Sequence, residues 1–275
     1  MRPDLALLAR ISSAVLQQAG RTRLLVEAGR FVAVIDRRTD SSWASFALPD
    51  PGAWKAGPLD AHAFLPALRE IFAHNGRQLR FEYFEDLWPG LAEELERAGF
   101  ARTDRQPVLT CAPRELAAPA TPGITVRRLS ASDPDGELLA FLRIQAAAFS
   151  EGEGERGLGP GHADIGRLRE ELLAGAQRCS IGRLGQEAAG AGSALVAGDV
   201  CEIAGIGTLP ERRRRGVAKA ISAALARDHF EKGGTLAWLT AGGDAAEAVY
   251  RGIGFQRTGA FQIACGPTMA GRATG

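Results

Sequence analysis

Residues 202–221 read Glu202-Ile-Ala-Gly-Ile-Gly-Thr-Leu-Pro-Glu-Arg-Arg-Arg-Arg-Gly-Val-Ala-Lys-Ala-Ile221. The pattern predicts an apolar strand through Leu209, a break at Pro210, an arginine-rich turn and an alanine-rich amphipathic helix. Amides at the start of a helix lack acceptors within the helix and carry the positive end of its dipole, so they bind anions. Because Gly216 lets the backbone approach a ligand and the small Ala218 leaves that approach open, the stretch predicts a polyphosphate-binding turn.

Two better-known phosphate motifs do not account for this turn. No G-x-x-x-x-G-K-S/T pattern occurs, which excludes a nucleotide P-loop. The G-x-G spacing at Gly252 and Gly254 lacks the third small residue that a dinucleotide-binding fold needs. The pattern that does occur is Arg213-x-x-Gly216-x-Ala218.

This pattern resembles the coenzyme A pyrophosphate signature of the GNAT acetyltransferase superfamily, Gln/Arg-x-x-Gly-x-Gly/Ala. The rest of that family's half-domain follows in order: a strand at Thr235 to Thr240, a short helix from Asp244, and Tyr250-Arg-Gly-Ile-Gly254-Phe255. The resemblance implies a mixed α/β acyl-CoA N-acyltransferase fold, with acetyl-coenzyme A as the acyl donor.

The resemblance also implies where the coenzyme lies. Backbone amides at the end of the first strand would hold the pantetheine arm and polarise the thioester carbonyl, and the turn with the start of its helix would hold the pyrophosphate. The expected contacts are Gly207, Thr208, Leu209, Arg213, Arg214, Arg215, Gly216, Val217, Ala218 and Lys219.

Two side chains are candidates for proton transfer. In the family the residue at Tyr250 faces the coenzyme's sulfur, and a phenol is still protonated at neutral pH, so it can protonate the leaving thiolate. Glu202 precedes Arg213 by eleven residues, the separation at which some family members carry their base. A solvated glutamate at a strand start, with a water chain as the base, is the open alternative for Glu202.

The first half of the chain contains a second, weaker copy of the pattern. With a shift of 155 residues, Arg80 to Glu85 lies over Thr235 to Thr240, and Gly99-Phe-Ala-Arg-Thr103 lies over Gly254-Phe-Gln-Arg-Thr258. The match resembles tandem GNAT proteins. It predicts a GNAT-like domain over residues 1–112, a proline- and alanine-rich linker over 113–123 and a catalytic domain over 124–275.

The functional positions of the first copy have changed. Leu95 stands where Tyr250 stands, and the segment before the matching helix carries Asp60 and no arginine. An aspartate there would repel phosphates. The first half is therefore predicted to be a degenerate scaffold without a coenzyme site.

Composition excludes several classes of protein. Lys and Arg total 33 against 32 acidic residues, so a formal net charge of +1 provides no overall basic field for nucleic acid or a membrane. The four cysteines form no C-x-x-C pair and the four histidines lack ligand spacing, which argues against a metal site or a disulfide framework. No apolar run approaches the ~18 residues that span a bilayer. We expect a cytoplasmic protein.

The acceptor is predicted from one loop. In the family the loop between the first two helices borders the acceptor pocket, and here residues 150–161 contain three glutamates that would attract a cationic amine. The glycine content favours instead a solvated loop without a recognition role. The expected partner is a small-molecule amine, with the protein a monomer or homodimer. A non-catalytic acyl-CoA binder or sensor is the alternative function, although it would not need Tyr250.

Overall fold

The computed structural model describes residues 3–39, 41, 43–57, 59–117, 121–149 and 160–266. Its helices are α1 (Leu5–Ala19), α2 (Ala61–His74), α3 (Leu91–Arg97), α4 (Asp135–Phe149), α5 (His162–Leu173), α6 (Val217–Glu231) and α7 (Asp244–Arg251). Its strands are β1 (Leu24–Ala28), β2 (Phe31–Ile35), β3 (Phe46–Pro49), β4 (Arg80–Phe84), β5 (Ala101–Cys111), β6 (Ile124–Arg128), β7 (Arg178–Leu184), β8 (Glu187–Ala197), β9 (Val200–Thr208), β10 (Leu236–Thr240) and β11 (Gln256–Cys265).

The chain divides into two compact units. The first is Met1–Val108 with Thr258–Gly275, and the second is Leu109–Arg257. These units differ from the predicted ranges 1–112 and 124–275. The prediction rested on the composition of the linker, whereas the pairing of β5 and β11 with other strands determines the unit to which each belongs. The end of β5 joins the second unit, and β11 from Thr258 joins the first.

The second unit is a mixed sheet covered on both faces. Its strands lie in the order β5-β10-β9-β8-β7-β6, and β9 and β10 run parallel while β6 to β9 pair antiparallel. One face packs against α6 through a core that includes Val217, Ile221 and Leu225. A second core, built by α4 and α5, includes Phe141 and Leu168. This is the mixed α/β fold that the sequence predicted.

Glycines in two strands let α6 approach the sheet closely. A Cβ at Gly190 would lie 2.5 Å from Val217 Cγ1 and 2.9 Å from the Gly207 carbonyl oxygen. A Cβ at Gly182 would lie 2.9 Å from the Ile221 side chain. Since these distances are too short for real contacts, the absence of side chains at Gly182 and Gly190 fixes the depth at which the α6 N-terminus sits.

Gly190→Ala is therefore expected to lower the free energy of unfolding by about 1 to 3 kcal/mol, the usual cost of overpacking a core. Gly136→Ala in α4 is the matched control, because nothing lies within 4 Å of its Cβ position. Urea denaturation of both variants checks the prediction. Equal stability of the two variants would show that α6 can move away from β8 without cost.

The first unit has strands in the order β1-β2-β3-β4-β11-β5. β3 and β4 run parallel, and β11 pairs antiparallel with β4, with Phe261 opposite Phe84. The chain contains the order strand, helix, strand, helix, strand twice, in β3-α2-β4-α3-β5 and in β9-α6-β10-α7-β11. Gly99 and Gly254, which match at the 155-residue shift, both have positive φ, +89° and +102°. The element order agrees with the shift, while the degeneracy of the first half stays a prediction.

Candidate active site

A fork between β9 and β10 forms the centre of the site. The two strands pair in parallel at three positions, from Leu236 opposite Val200 to Trp238 opposite Glu202. β9 then continues to Thr208 and β10 to Thr240 without further pairing. One edge of β9 therefore loses its strand partner beyond Glu202.

A bulge in β9 reshapes that edge. Gly205 has φ +59°, and the register with β8 shifts opposite it. Gln145 Nε2 in α4 donates a hydrogen bond of 3.1 Å to the Gly205 carbonyl oxygen. A Cβ at Gly207 would lie 2.6 Å from Ala148 Cβ, so Gly207 is needed for the close approach of α4. Sequence reasoning missed Gln145, since nothing in the pattern of α4 marks its hydrogen-bond partner.

The fork also determines which backbone donors are free. The Leu209 amide donates to the Ala189 carbonyl oxygen at 3.0 Å. Because donors alternate between the two edges of a strand, Gly207 also points toward β8 and Thr208 points into the fork. Of the three amides at 207–209 that were predicted to hold the pantetheine arm, only the Thr208 amide therefore points into the fork. Its Oγ1 is buried and has no hydrogen-bond partner among the described residues.

The arginine-rich turn has the backbone geometry of an anion site. A short 3-10 helix covers Pro210–Arg212, and Arg214 has φ +62°, a sign that the structure shows at no other non-glycine residue within its described ranges. Gly216 has φ +85° and precedes α6 without a side-chain cap. The first-turn amides of Val217, Ala218 and Lys219 therefore lack acceptors within the helix and point outward.

The basic side chains at the turn have different surroundings. Arg212 forms an ion pair with Glu187, whereas Arg213, Arg214 and Arg215 are exposed. Lys219, predicted to bind pyrophosphate, extends toward the end of α7, with its Nζ 3.9 Å from the Cβ position of Gly252. Arg214 and Arg215 are thus exposed at the turn that precedes α6.

Tyr250 lies in α7 and is 9% exposed. Its ring packs beside Phe255, with ring centroids 6.3 Å apart. Burial disfavours the charged phenolate and raises the pKa of Tyr250 to about 12. The hydroxyl therefore keeps its proton throughout the neutral range, as a general acid must.

Glu202 and Tyr250 lie on opposite faces of the sheet. Cys201 and Ile203 pack into the core with α6, and so does Tyr250. Because side chains alternate along a strand, Glu202 points away from that core. It is half-buried and is the last residue of β9 to pair with β10. Since the strands separate directly after Glu202, the fork is an opening between a carboxylate on one face and a phenol on the other.

The first part of the predicted linker is held against this site. Residues Pro113–Glu115 form a 3-10 helix, and the Ala117 amide donates to the Ile253 carbonyl oxygen at 3.1 Å. A Cβ at Gly254 would lie 1.9 Å from the Glu115 carbonyl oxygen, so only glycine fits there. Residues 113–117 of the predicted linker are thus held in place by these backbone contacts, and residues 118–120 lie outside the described ranges.

The helix of the first unit that matches α6 carries a carboxylate at its N-terminus. The Asp60 side chain accepts a 3.0 Å hydrogen bond from the His62 amide in the first turn of α2. The Asp60 carboxylate thus accepts a hydrogen bond from a first-turn amide, whereas α6 has no side-chain cap. Its negative charge would also repel a phosphate at this position. Leu95, the counterpart of Tyr250, is fully buried.

Three further features concern metal ligands, cysteines and membrane-spanning helices. No group of His, Cys, Asp or Glu side chains suited to a metal ion occurs among the described residues. Each of the four cysteines is free. Across the residues that the structure covers, no helix has the length and hydropathy to cross a membrane. Most of the acidic loop, residues 150–159, lies outside the described ranges.

Comparison with known proteins agrees with this geometry. Residues 135–255 match the model of the acetyltransferase (GNAT) family. A GCN5-related N-acetyltransferase from Kribbella flavida is 30% identical, with 97% of each chain covered and a TM-score of 0.75. No curated protein matches the chain.

Two more distant structures share the fold. A GCN5-related N-acetyltransferase from Sphaerobacter thermophilus is 13% identical, covering 86% of this chain and 76% of its own, with a TM-score of 0.60. A tandem GNAT protein from the clavulanic acid biosynthesis pathway is 14% identical, covering 86% and 79%, with a TM-score of 0.56. The similarity therefore extends over most of the chain, including its first half.

Proposed function

Because the chain belongs to the GNAT acetyltransferase family, we propose that it transfers the acetyl group of acetyl-coenzyme A to a primary amine. The observation that carries this proposal is the β9–β10 fork, which ends beside the uncapped N-terminus of α6. An extended ligand with an anionic end fits that arrangement. Its phosphates would meet the α6 amides while its acyl end lies in the fork.

The groups around the fork match the needs of acyl transfer. The amine nitrogen attacks the thioester carbonyl carbon, the carbon–sulfur bond breaks, and the thiolate leaves. The Thr208 amide would stabilise the charge that develops on the carbonyl oxygen. Glu202 would accept the proton that the amine loses, and Tyr250 would give its proton to the thiolate. The unpartnered Thr208 hydroxyl provides a further donor for the ligand.

Acetyl-coenzyme A is expected to bind at one site per chain, because the Asp60 carboxylate caps the N-terminus of α2, the helix of the first unit that matches α6. Arg214→Glu or Arg215→Glu should weaken binding by about 1 to 3 kcal/mol, the size of charge-assisted bonds to phosphate. Isothermal titration calorimetry measures both quantities. Arg143→Glu on the exposed side of α4 is the control and should leave affinity unchanged. A stoichiometry near two, or wild-type affinity in both turn variants, contradicts the assignment.

Two routes for removing the amine's proton can be distinguished at Glu202: transfer to its carboxylate and transfer through a water chain. If the Glu202 carboxylate is the base, activity falls at low pH as the carboxylate is protonated, and Glu202→Gln should abolish that dependence. The rate should also drop by about 10²- to 10⁴-fold. Rate profiles of the two proteins, measured once an acceptor is known, check this. A Glu202→Gln variant that keeps the wild-type profile points to a water chain instead.

We further propose a small-molecule acceptor and a cytoplasmic location. Phe149 at the end of α4 has a side chain that is 57% exposed and approaches the Cβ position of Gly207 to 3.8 Å. An exposed aromatic ring beside the fork favours an acceptor with an apolar group next to its amine. Four free cysteines favour a reducing compartment.

A further inference from the structure

The first unit contains a cavity of about 260 Å³ that the proposed reaction does not use. Its walls are mainly apolar and come from the start of α1 and from residues 54–59 and 86–91. The residues that matter for its chemistry are Trp54, Leu59, Asp86, Leu87, Trp88 and Leu91. All lie within one compact unit, so the cavity belongs to that unit alone.

The cavity occupies the position that corresponds to the coenzyme fork. At the 155-residue shift, residues 54–59 lie over 209–214 and residues 86–91 over 241–246. β3 and β4 pair in parallel at Ala47 opposite Phe81, and β3 then ends at Pro49. β4 continues to Phe84, so the two strands have the same parallel arrangement as β9 and β10.

The side chains at these positions differ in chemical type from their counterparts in the second unit. Leu87 and Trp88 stand where the second unit has Gly242 and Gly243. Leu59 stands where it has Arg214. Large apolar side chains stand where the second unit has glycine and arginine, so the walls of the cavity suit an apolar ligand better than a phosphate.

One carboxylate gives the cavity a polar anchor. Among the described residues that line it, Asp86 is the only charged side chain. Its Oδ2 accepts a 2.9 Å hydrogen bond from the Ala260 amide, which fixes the carboxylate at the wall. Arg30, whose guanidinium lies 5.7 Å from the centre of the Trp88 ring, is held by the carbonyl oxygens of Ala53 and Gly57 at 2.8 and 2.9 Å.

We propose that this cavity is a second ligand site, which takes a small apolar amine. The aromatic or aliphatic body of the ligand packs between the walls that Trp54 and Trp88 provide, and its ammonium group pairs with the Asp86 carboxylate. At about 260 Å³ the cavity lies below the usual range for drug-sized ligands, so the ligand is small. The site needs neither coenzyme nor catalysis.

The test measures binding of tryptamine to the full chain without acetyl-coenzyme A, by isothermal titration calorimetry. 3-Methylindole and indole-3-propionate are the neutral and anionic probes. We expect saturable binding of tryptamine, weaker binding of 3-methylindole and none of the propionate. Asp86→Asn keeps an acceptor for the Ala260 amide and should weaken tryptamine at least tenfold while leaving 3-methylindole unchanged. Glu70→Gln, on the exposed side of α2, is the matched charge control.

A second variant locates the site. Leu59→Phe reduces the space in the cavity and should remove tryptamine binding while the melting temperature shows a folded protein. Absence of tryptamine binding at millimolar concentration overturns the proposal. So does equal binding of amine and propionate, an unaffected Asp86→Asn variant, or full binding by a folded Leu59→Phe variant. None of these results depends on acetyl transfer, so this proposal and the acetyltransferase proposal can fail separately.

Discussion

Replacing Tyr250 with phenylalanine is expected to slow the chemical step by about 10²- to 10⁴-fold, the usual contribution of one general acid. The variant loses only a hydroxyl from a ring that is already buried, so folding and acetyl-coenzyme A affinity should change little. Single-turnover rates with a responsive amine, together with calorimetric titration of the coenzyme, measure the two effects separately.

The pH dependence provides an independent check on Tyr250. Burial raises its pKa to about 12, so its hydroxyl stays protonated as the pH rises through the range in which an ordinary phenol, near ~10, begins to ionise. The wild-type rate should therefore not fall between about pH 8 and 10 through loss of the Tyr250 proton. Phe255→Leu, which changes a neighbouring ring without removing a proton donor, is the control. Wild-type turnover in Tyr250→Phe under chemistry-limited conditions would leave a coenzyme-binding protein whose acid is another group.

A fragment cut at the predicted linker, residues 118–275, is expected to be insoluble. It lacks Leu109 and Cys111, both fully buried in the core that holds Tyr250. It also retains Phe261 and Ile263 of β11 without the strand β4 that pairs with them. Loss of one buried leucine costs about 2 to 5 kcal/mol. A typical domain is stable by only about 5 to 15 kcal/mol, so these losses are large.

The matched fragment follows the compact unit instead of the linker. Residues 109–257 keep the two core residues of β5 and omit most of β11. This fragment should be recovered in the soluble fraction in higher yield than 118–275, and it should bind acetyl-coenzyme A. Soluble 118–275 that binds the coenzyme with full affinity would show that the composition of the linker, and not strand pairing, marks the functional boundary.

The unit boundaries illustrate which features of the fold could be predicted from the sequence. Local patterns predicted the strand that leads to the turn, Gly216 before the helix, and α6 over Val217–Glu231, because each depends on neighbours along the chain. Pairing of β11 with β4 joins residues almost 180 positions apart in sequence. No periodicity within either strand encodes such a partner, so the unit boundaries could not be predicted.

The candidate site shows the same division. The turn arginines and Tyr250 were identified because their spacing follows a family pattern. Gln145 and the Thr208 hydroxyl were missed, since their importance depends on a bulge carbonyl and on an empty hydrogen-bonding position that exist only after folding. The narrowing of the backbone donors to Thr208 likewise required the register of β8.

The place of β11 in the first unit has a consequence for biosynthesis. In that unit β11 lies between β4 and β5, although it follows β5 far along the chain. Domains commonly fold from the N-terminus as they are translated. Here the sheet of the first unit cannot close after β5 until about 150 further residues have emerged. Until then the nascent chain exposes two unpaired strand edges, at which a chaperone or a second nascent chain can bind.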